Sequence, residues 1–163
     1  GPCDLPAPLH VDVVPVESAA DMFEAVKTRA KEQDIIIKAA AVADYTPITV
    51  NTEKTKKKEG EASIALKRTT DILSWLGEHK EKGQFLCGFS METENMLENS
   101  KKKLEKKHAD MIVANNLKVA GAGFGTDTNV VTLITKEGEK ELPIQTKDEV
   151  SYEILNEIMN KMA

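Results

Sequence analysis

The feature that most constrains this chain is a short apolar run, Ile35 to Ile37, followed by the small residues Ala39, Ala40 and Ala41. A β-branched run without turn residues predicts a strand buried on both faces, as in a parallel sheet. Small residues after such a strand leave room for a ligand. Asp44 and the lysines beyond it suit a phosphorylated ligand at the carboxyl end of the strand. A helix start followed by a solvated lysine loop would give the same spacing, so the pattern alone leaves both interpretations open.

Apolar patterns along the rest of the chain predict strands that alternate with helices. We expect strands at 10–16, 62–67, 84–89 and 110–114, and helices at 18–31, from 69 or 70, at 93–108 and from 146. Segments 130–135 and 141–144 predict a hairpin, and Thr146 with Glu149 form a capping-box pattern for the last helix. The prediction is an α/β fold, Rossmann-like, with a mostly parallel sheet, helices on both faces and a late antiparallel β-hairpin.

Composition excludes several classes of protein. A length of 163 residues fits one domain, and a net charge of −5 argues against a nucleic-acid binder. No apolar run approaches the roughly 20 residues of a membrane span, so we expect no membrane association. Residues 1–9 lack the pattern of a secretory signal, and Cys3 and Cys87 are too few for a disulfide framework or zinc site, so we expect a protein of the reducing cytoplasm.

Lysines concentrate in two groups, at 54–58 and 101–107. Each group taken alone fits a solvated surface as well as an anion site. The carboxyl ends of parallel strands share one sheet edge, so segments that follow the strands should converge there. Lys103 and Lys107 are four residues apart on one predicted helix and therefore face the same way. Convergence favours phosphate binding for these lysines.

Other candidate motifs carry little chemistry. The glycines at 121–125 resemble a dinucleotide fingerprint, but no buried strand leads into them and a hairpin follows, so a surface loop is favoured. His10, His79 and His108 lack metal-ligand spacing, and we predict no metal site built by the protein. Cys87 lies inside a predicted strand and is expected to be an inert core thiol.

Four motifs together resemble one enzyme family. A-A-A-V-A-D-Y at 39–45, K-T-K-K at 54–57, D-I-L at 71–73 and G-F-S-M-E-T at 88–93 are similar to bacterial phosphopantothenoylcysteine synthetase. The resemblance extends to a linker-like segment at 1–8 and a late hairpin at 123–131. It implies a ligase of coenzyme A biosynthesis, in which CTP activates 4'-phosphopantothenate as an acyl-cytidylate and the amine of cysteine then attacks. It also implies Mg²⁺, a homodimer with the hairpin from Val130 to Ile144 contributing to its interface, and FMN only in a fused decarboxylase domain.

The resemblance also implies site residues. By motif position, Lys54 would be the catalytic lysine of a flap that contacts the reacting phosphate. The nucleotide site would comprise residues from five separate segments: Ala39, Ala40, Ala41, Asp44, Lys54, Asp71, Ile72, Leu73, Phe89, Lys103 and Lys107.

Two departures from the family pattern stand out. Thr69 and Thr70 occupy positions where the family usually has a proline before the Asp-Ile pair. The family's opening βαβ unit, with its glycine-rich and Asn/Ser-Ser-Gly motifs, has no counterpart in residues 1–163. We therefore expect an amino-terminally incomplete CTP-binding ligase domain that is inactive or nearly inactive alone. A non-catalytic nucleotide-binding or assembly module of the same fold is the alternative.

Overall fold

A computed structural model describes residues 6–50, 53–54, 56, 60, 62–92, 95–116 and 125–163. Strands and helices alternate through much of this range, with a short 3₁₀ turn at Ala30–Glu32 after the first helix. In chain order the elements are α1 (Ala19–Lys27), β1 (Ile35–Lys38), β2 (Tyr45–Pro47), β3 (Leu66–Arg68), α2 (Ile72–Glu78), β4 (Phe85–Glu92), α3 (Met96–Lys106), β5 (Met111–Asn116), β6 (Thr128–Asn129), β7 (Val131–Thr135), β8 (Gly138–Glu141), β9 (Gln145–Thr146) and α4 (Lys147–Met162).

The main sheet of the described residues has five strands in the order β1-β4-β5-β7-β8. Strands β1, β4 and β5 are parallel, with Ile35 beside Phe85 and Cys87 beside Met111. The β7–β8 hairpin continues the sheet in the antiparallel sense. This arrangement confirms the predicted α/β fold, and it places the carboxyl ends of β1, β4 and β5 along one edge.

Apolar side chains form a core on each face of the sheet. On one face, residues of α2 and α3 pack with Leu86 and Ile112, and the apolar side of α1 packs against them. On the other face, Val150, Ile154 and Ile158 of α4 cover the sheet. The capping box predicted at Thr146 forms, and Ser18, where the first predicted helix starts, also forms one with Asp21, so these two residues fix where α4 and α1 begin. In the described part of the chain, no helix is long and apolar enough to cross a bilayer.

One predicted strand does not form, and a second forms but is less buried than predicted. Residues 10–16 form no strand, and His10 has a positive φ of 62°. Their alternating valines face solvent instead, with Val13 60% exposed, because no neighbouring strand pairs with this segment among the described residues. Strand β1, predicted to be buried on both faces, lies at the edge of the described sheet, which leaves Ile37 38% exposed.

Several predicted boundaries also shift. The strand predicted at 62–67 forms only at Leu66–Arg68, where it pairs with Tyr45–Pro47 outside the main sheet and leaves Ile64 and Leu66 exposed. The second hairpin strand lies at Gly138–Glu141 rather than 141–144, because a tighter turn returns the chain sooner. Asp71 rather than Thr69 or Thr70 caps α2, and Asn95 precedes α3. The cap predicted at residue 93, and the glycines at 121–124, lie outside the described residues.

Candidate functional site

A cavity of about 610 Å³ lies at the carboxyl ends of the parallel strands. Its lining comes from the loop after β1, the segment leading into α2, the end of β4 and one side of α3. Ten of the eleven predicted site residues line this cavity: Ala39, Ala40, Ala41, Asp44, Asp71, Ile72, Leu73, Phe89, Lys103 and Lys107. Lys54 is exposed on the connection between β2 and β3 and does not line this cavity.

The loop after β1 is held from both ends. Lys38 Nζ donates a hydrogen bond to the carbonyl oxygen of Ala40 at 2.7 Å. Thr69 donates its hydroxyl to the carbonyl of Ala43 at 2.6 Å and its backbone N–H to that of Asp44 at 2.9 Å. The alanine methyls therefore form one wall of the cavity, where larger side chains would occupy the space.

Asp71 joins two sides of the cavity. Its carboxylate caps α2 by accepting the Ser74 N–H at 2.9 Å, and it accepts from Lys107 Nζ at 2.6 Å. Lys107 Nζ also donates to the hydroxyl of Ser74 at 2.9 Å. Burial raises the pKa of Asp71, but the bonds from Lys107 and Ser74, with the charges of Lys107 and Lys38, outweigh burial and lower the pKa below 3.8.

Two glycines let α2 approach its neighbours closely. A Cβ on Gly77 would lie 1.9 Å from the carbonyl oxygen of Lys107, and one on Gly88 would lie 2.6 Å from Leu73 Cδ2. The absence of a side chain at both positions brings α2 against the end of α3 and against β4. That approach brings Lys107 within reach of Asp71.

Helix α3 is fixed to β4 by polar contacts beside the cavity. Lys103 Nζ donates to the carbonyl oxygen of Phe89 at 2.9 Å. One helical turn earlier, the hydroxyls of Ser100 and Ser90 are hydrogen-bonded at 2.7 Å, and both side chains are buried. Water cannot replace a lost hydrogen-bond partner at a buried position. The pair therefore favours the one placement of α3 along β4 in which both hydroxyls are bonded.

Sequence reasoning missed several lining residues. Lys38 and Arg68 supply two further cations, and the guanidinium of Arg68 lies 5.8 Å from the centre of the Tyr45 ring. Thr69, Thr70 and Ser90 add hydroxyl groups. The sequence did indicate Lys38 as a possible site residue, because it is the only charged residue of the strand Ile35–Lys38 and lies at the carboxyl end of that strand. There was no such indication for Arg68, because the strand predicted at 62–67 ended one residue before it.

Electrostatics distinguish the cavity from the rest of this acidic chain. Its charged lining residues are four cations, Lys38, Arg68, Lys103 and Lys107, and two carboxylates, Asp44 and Asp71, so their net charge is +2 while the whole chain carries −5. Among the residues that the structure describes, no three His, Cys, Asp or Glu side chains are grouped to hold a metal ion. The cavity therefore suits an anionic ligand.

The parallel strands and the cationic cavity at their carboxyl edge define an α/β domain of the class that binds ligands beyond the ends of its strands. The family can be named from comparison with known proteins. The profile of the family described as DNA/pantothenate metabolism flavoprotein C-terminal domain matches residues 1–162, so the chain belongs to this family.

Two curated proteins that are similar to this chain are more than twice as long as it. Coenzyme A biosynthesis bifunctional protein CoaBC of Bacillus subtilis is 52% identical over 160 residues, which are 97% of this chain and 39% of that protein. A cysteine/cysteine sulfinic acid decarboxylase from an unidentified prokaryote is 44% identical over 161 residues, covering 98% of this chain and 45% of its own length. The chain thus spans less than half the length of these curated relatives.

A solved structure shares the fold. The crystal structure of the C-terminal domain of CoaBC is 49% identical, with a TM-score of 0.80, and the match covers 99% of this chain and 73% of that one. The agreement confirms the resemblance that the sequence motifs indicated.

Proposed function

We propose that this domain supplies the nucleotide site of a phosphopantothenate–cysteine ligase of coenzyme A biosynthesis, which uses CTP. The main support for the proposal is that ten predicted site residues, from four separate segments, line one cavity whose charged lining residues are mostly cations. Identity of 52% to CoaBC of Bacillus subtilis supports the assignment to coenzyme A biosynthesis. The relative named a decarboxylase matches over 45% of its length, so more than half of it lies outside the shared part.

The chemistry explains why a cationic cavity is needed. A carboxylate is a poor electrophile, because oxide is a poor leaving group. Attack of the 4'-phosphopantothenate carboxylate on the α-phosphorus of CTP would form an acyl-cytidylate and release pyrophosphate. The cysteine amine would then attack the acyl carbon, expel CMP and lose a proton to form the amide. Both partners of the first step are polyanions, so fixed cations reduce their repulsion and stabilise the charge on the pyrophosphate.

In this proposal Lys103 and Lys107 bind phosphate oxygens, and the alanine loop with Phe89 bounds the nucleoside. Lys54 is proposed to act from the β2–β3 connection, because a lysine is a mobile point charge on a flexible stem. Mg²⁺ would arrive with the triphosphate as part of the substrate, since magnesium is commonly held by phosphate oxygens, water and one or two carboxylates. The proposed enzyme is a homodimer, and its oligomeric state can be measured directly by light scattering.

Pyrophosphate release tests the proposal. The protein, expressed with whatever coding sequence flanks residues 1–163, is incubated with CTP, Mg²⁺, phosphopantothenate and cysteine. We expect pyrophosphate release that requires phosphopantothenate and stops with Lys107→Met. Lys82→Met, at an exposed position before β4 and outside the cavity lining, serves as the charge-matched control. Lys54→Ala should reduce the rate by about a hundredfold or more if Lys54 stabilises the transition state. Binding of CTP without any pyrophosphate release would instead favour the non-catalytic module.

A further inference from the structure

Lys38 is a cation of the cavity that the family motifs do not include. It ends β1, pairs in register with Gly88 of β4 and lines the cavity as a partly buried residue. Its ammonium group donates a hydrogen bond to the carbonyl oxygen of Ala40. An ammonium group has three donors, so this contact leaves Lys38 able to donate to a ligand as well.

The charges around Lys38 are those of the proposed phosphate site. Lys103 of α3 and Lys107 just after it line the same cavity, as do Asp71 at the start of α2 and Asp44 of the loop after β1, and the charges of all four act on Lys38. Burial lowers the pKa of Lys38 and the charge of Lys103 lowers it further, while the two carboxylates oppose this effect. Three lysines thus line one cavity, and an anion bound between them would offset the mutual repulsion of their charges.

We propose that Lys38 is a third phosphate-binding lysine of this cavity, which donates to the polyphosphate of the nucleotide together with Lys103 and Lys107. The inference deepens the proposed function and rests on it for the identity of the anion. A bound polyphosphate brings negative charge to Lys38, so binding favours the protonated amine. In the free protein the amine loses its proton more easily than an exposed lysine does, and binding therefore takes up protons at alkaline pH.

The test measures calorimetric binding of inorganic tripolyphosphate and of cytidine to the protein with its flanking sequence. Lys38→Met should weaken tripolyphosphate binding about tenfold or more, because a charge-assisted contact is lost. Lys38→Arg should restore most of the affinity, and cytidine binding should stay unchanged in both variants. Lys67→Met is the control, since it removes the same charge from an exposed position outside the cavity lining.

The pH dependence of tripolyphosphate affinity distinguishes an effect of the Lys38 charge from a role of Lys38 in positioning the loop at Ala40. Between about pH 7 and 10, affinity for tripolyphosphate should fall more steeply in the unaltered protein than in Lys38→Arg, because arginine stays charged throughout this range. Wild-type affinity in Lys38→Met would overturn the inference, as would equal losses of tripolyphosphate and cytidine binding, which indicate a structural role through Ala40. Failure of the proposed function is a different result: no pyrophosphate release, with the Lys38 dependence of tripolyphosphate binding intact.

Discussion

Lys107 Nζ lies 2.6 Å from Asp71 Oδ2, and this contact joins the end of α3 to the start of α2. Lys107 keeps only 14% of its side chain exposed, whereas Asp71 keeps 53%. A ligand phosphate that binds Lys107 must therefore share it with a carboxylate of the protein. Asp71 holds the cation in place before the ligand arrives and weakens the site for anions too small to reach the other lysines.

Asp71 should stabilise the fold in two separable ways. Asp71→Asn keeps a capping oxygen but loses the ion pair, while Asp71→Ala loses both and should be less stable than the asparagine variant by about 1 kcal/mol. Because the folded-state pKa of Asp71 lies below 3.8, the stability gained from its charge is present above that pH and is lost as the pH falls through the folded value. Urea unfolding at several pH values should show the wild type and Asp71→Asn converging in acid. A constant difference would contradict this account.

Gly77 should tolerate no side chain, although alanine is the better helix former by about 1 kcal/mol. The new methyl would lie 1.9 Å from the Lys107 carbonyl, so α2 or the end of α3 must move. We expect Gly77→Ala to destabilise the fold by about 1–3 kcal/mol and to weaken nucleotide binding through displacement of Lys107. Glu78→Ala, at the next and exposed position, should change stability by less than about 0.5 kcal/mol. Equal melting curves for the two variants would show that the close approach does not exist.

The hydroxyls of Ser90 and Ser100 should be coupled. Ser100→Ala leaves the buried Ser90 hydroxyl without this partner and should cost about 1–3 kcal/mol, because a buried polar group loses its hydrogen bond. The double variant should cost less than the sum of the two single changes. A double-mutant cycle on the free energy of unfolding measures the coupling, and strict additivity would contradict the contact.

Cys87 should be chemically silent in the native protein. Burial raises the pKa of its thiol to about 12, with a smaller contribution from the charge of Asp110. In a Cys3→Ser background we expect no reaction with a thiol reagent until the chain is unfolded. The same shift predicts that stability is retained below about pH 9 and is lost as the pH rises toward 12, since only the unfolded thiol ionises in that range. Rapid native-state labelling would contradict the burial of this side chain.

Local patterns in the sequence predicted most of the fold. The capping residues Ser18 and Thr146 set two helix starts, and apolar runs located the central strands. Strand prediction was wrong where pairing, rather than pattern, decides the structure. The valines at 11–14 alternate as a strand would, but the described residues supply no partner for them.

The lining of the site was less predictable. The motifs predicted Asp71 and Lys107 as site residues. Nothing in the sequence, however, indicates that Asp71 both caps α2 and accepts a hydrogen bond from Lys107. That pairing depends on Gly77, whose missing side chain matters only when α2 lies against α3. Lys38 reaches the site because β1 ends beside Gly88, which is a property of sheet register. Contacts between distant segments follow from the assembled fold, and local spacing carries no signal for them.

A crystal structure with CTP and Mg²⁺ bound tests the central claim most directly. The account predicts the triphosphate between the alanine loop and α3, with phosphate oxygens at hydrogen-bond distance, about 3 Å, from the amines of Lys103 and Lys107. Nucleotide bound elsewhere on the protein, with this cavity left to solvent, would contradict it.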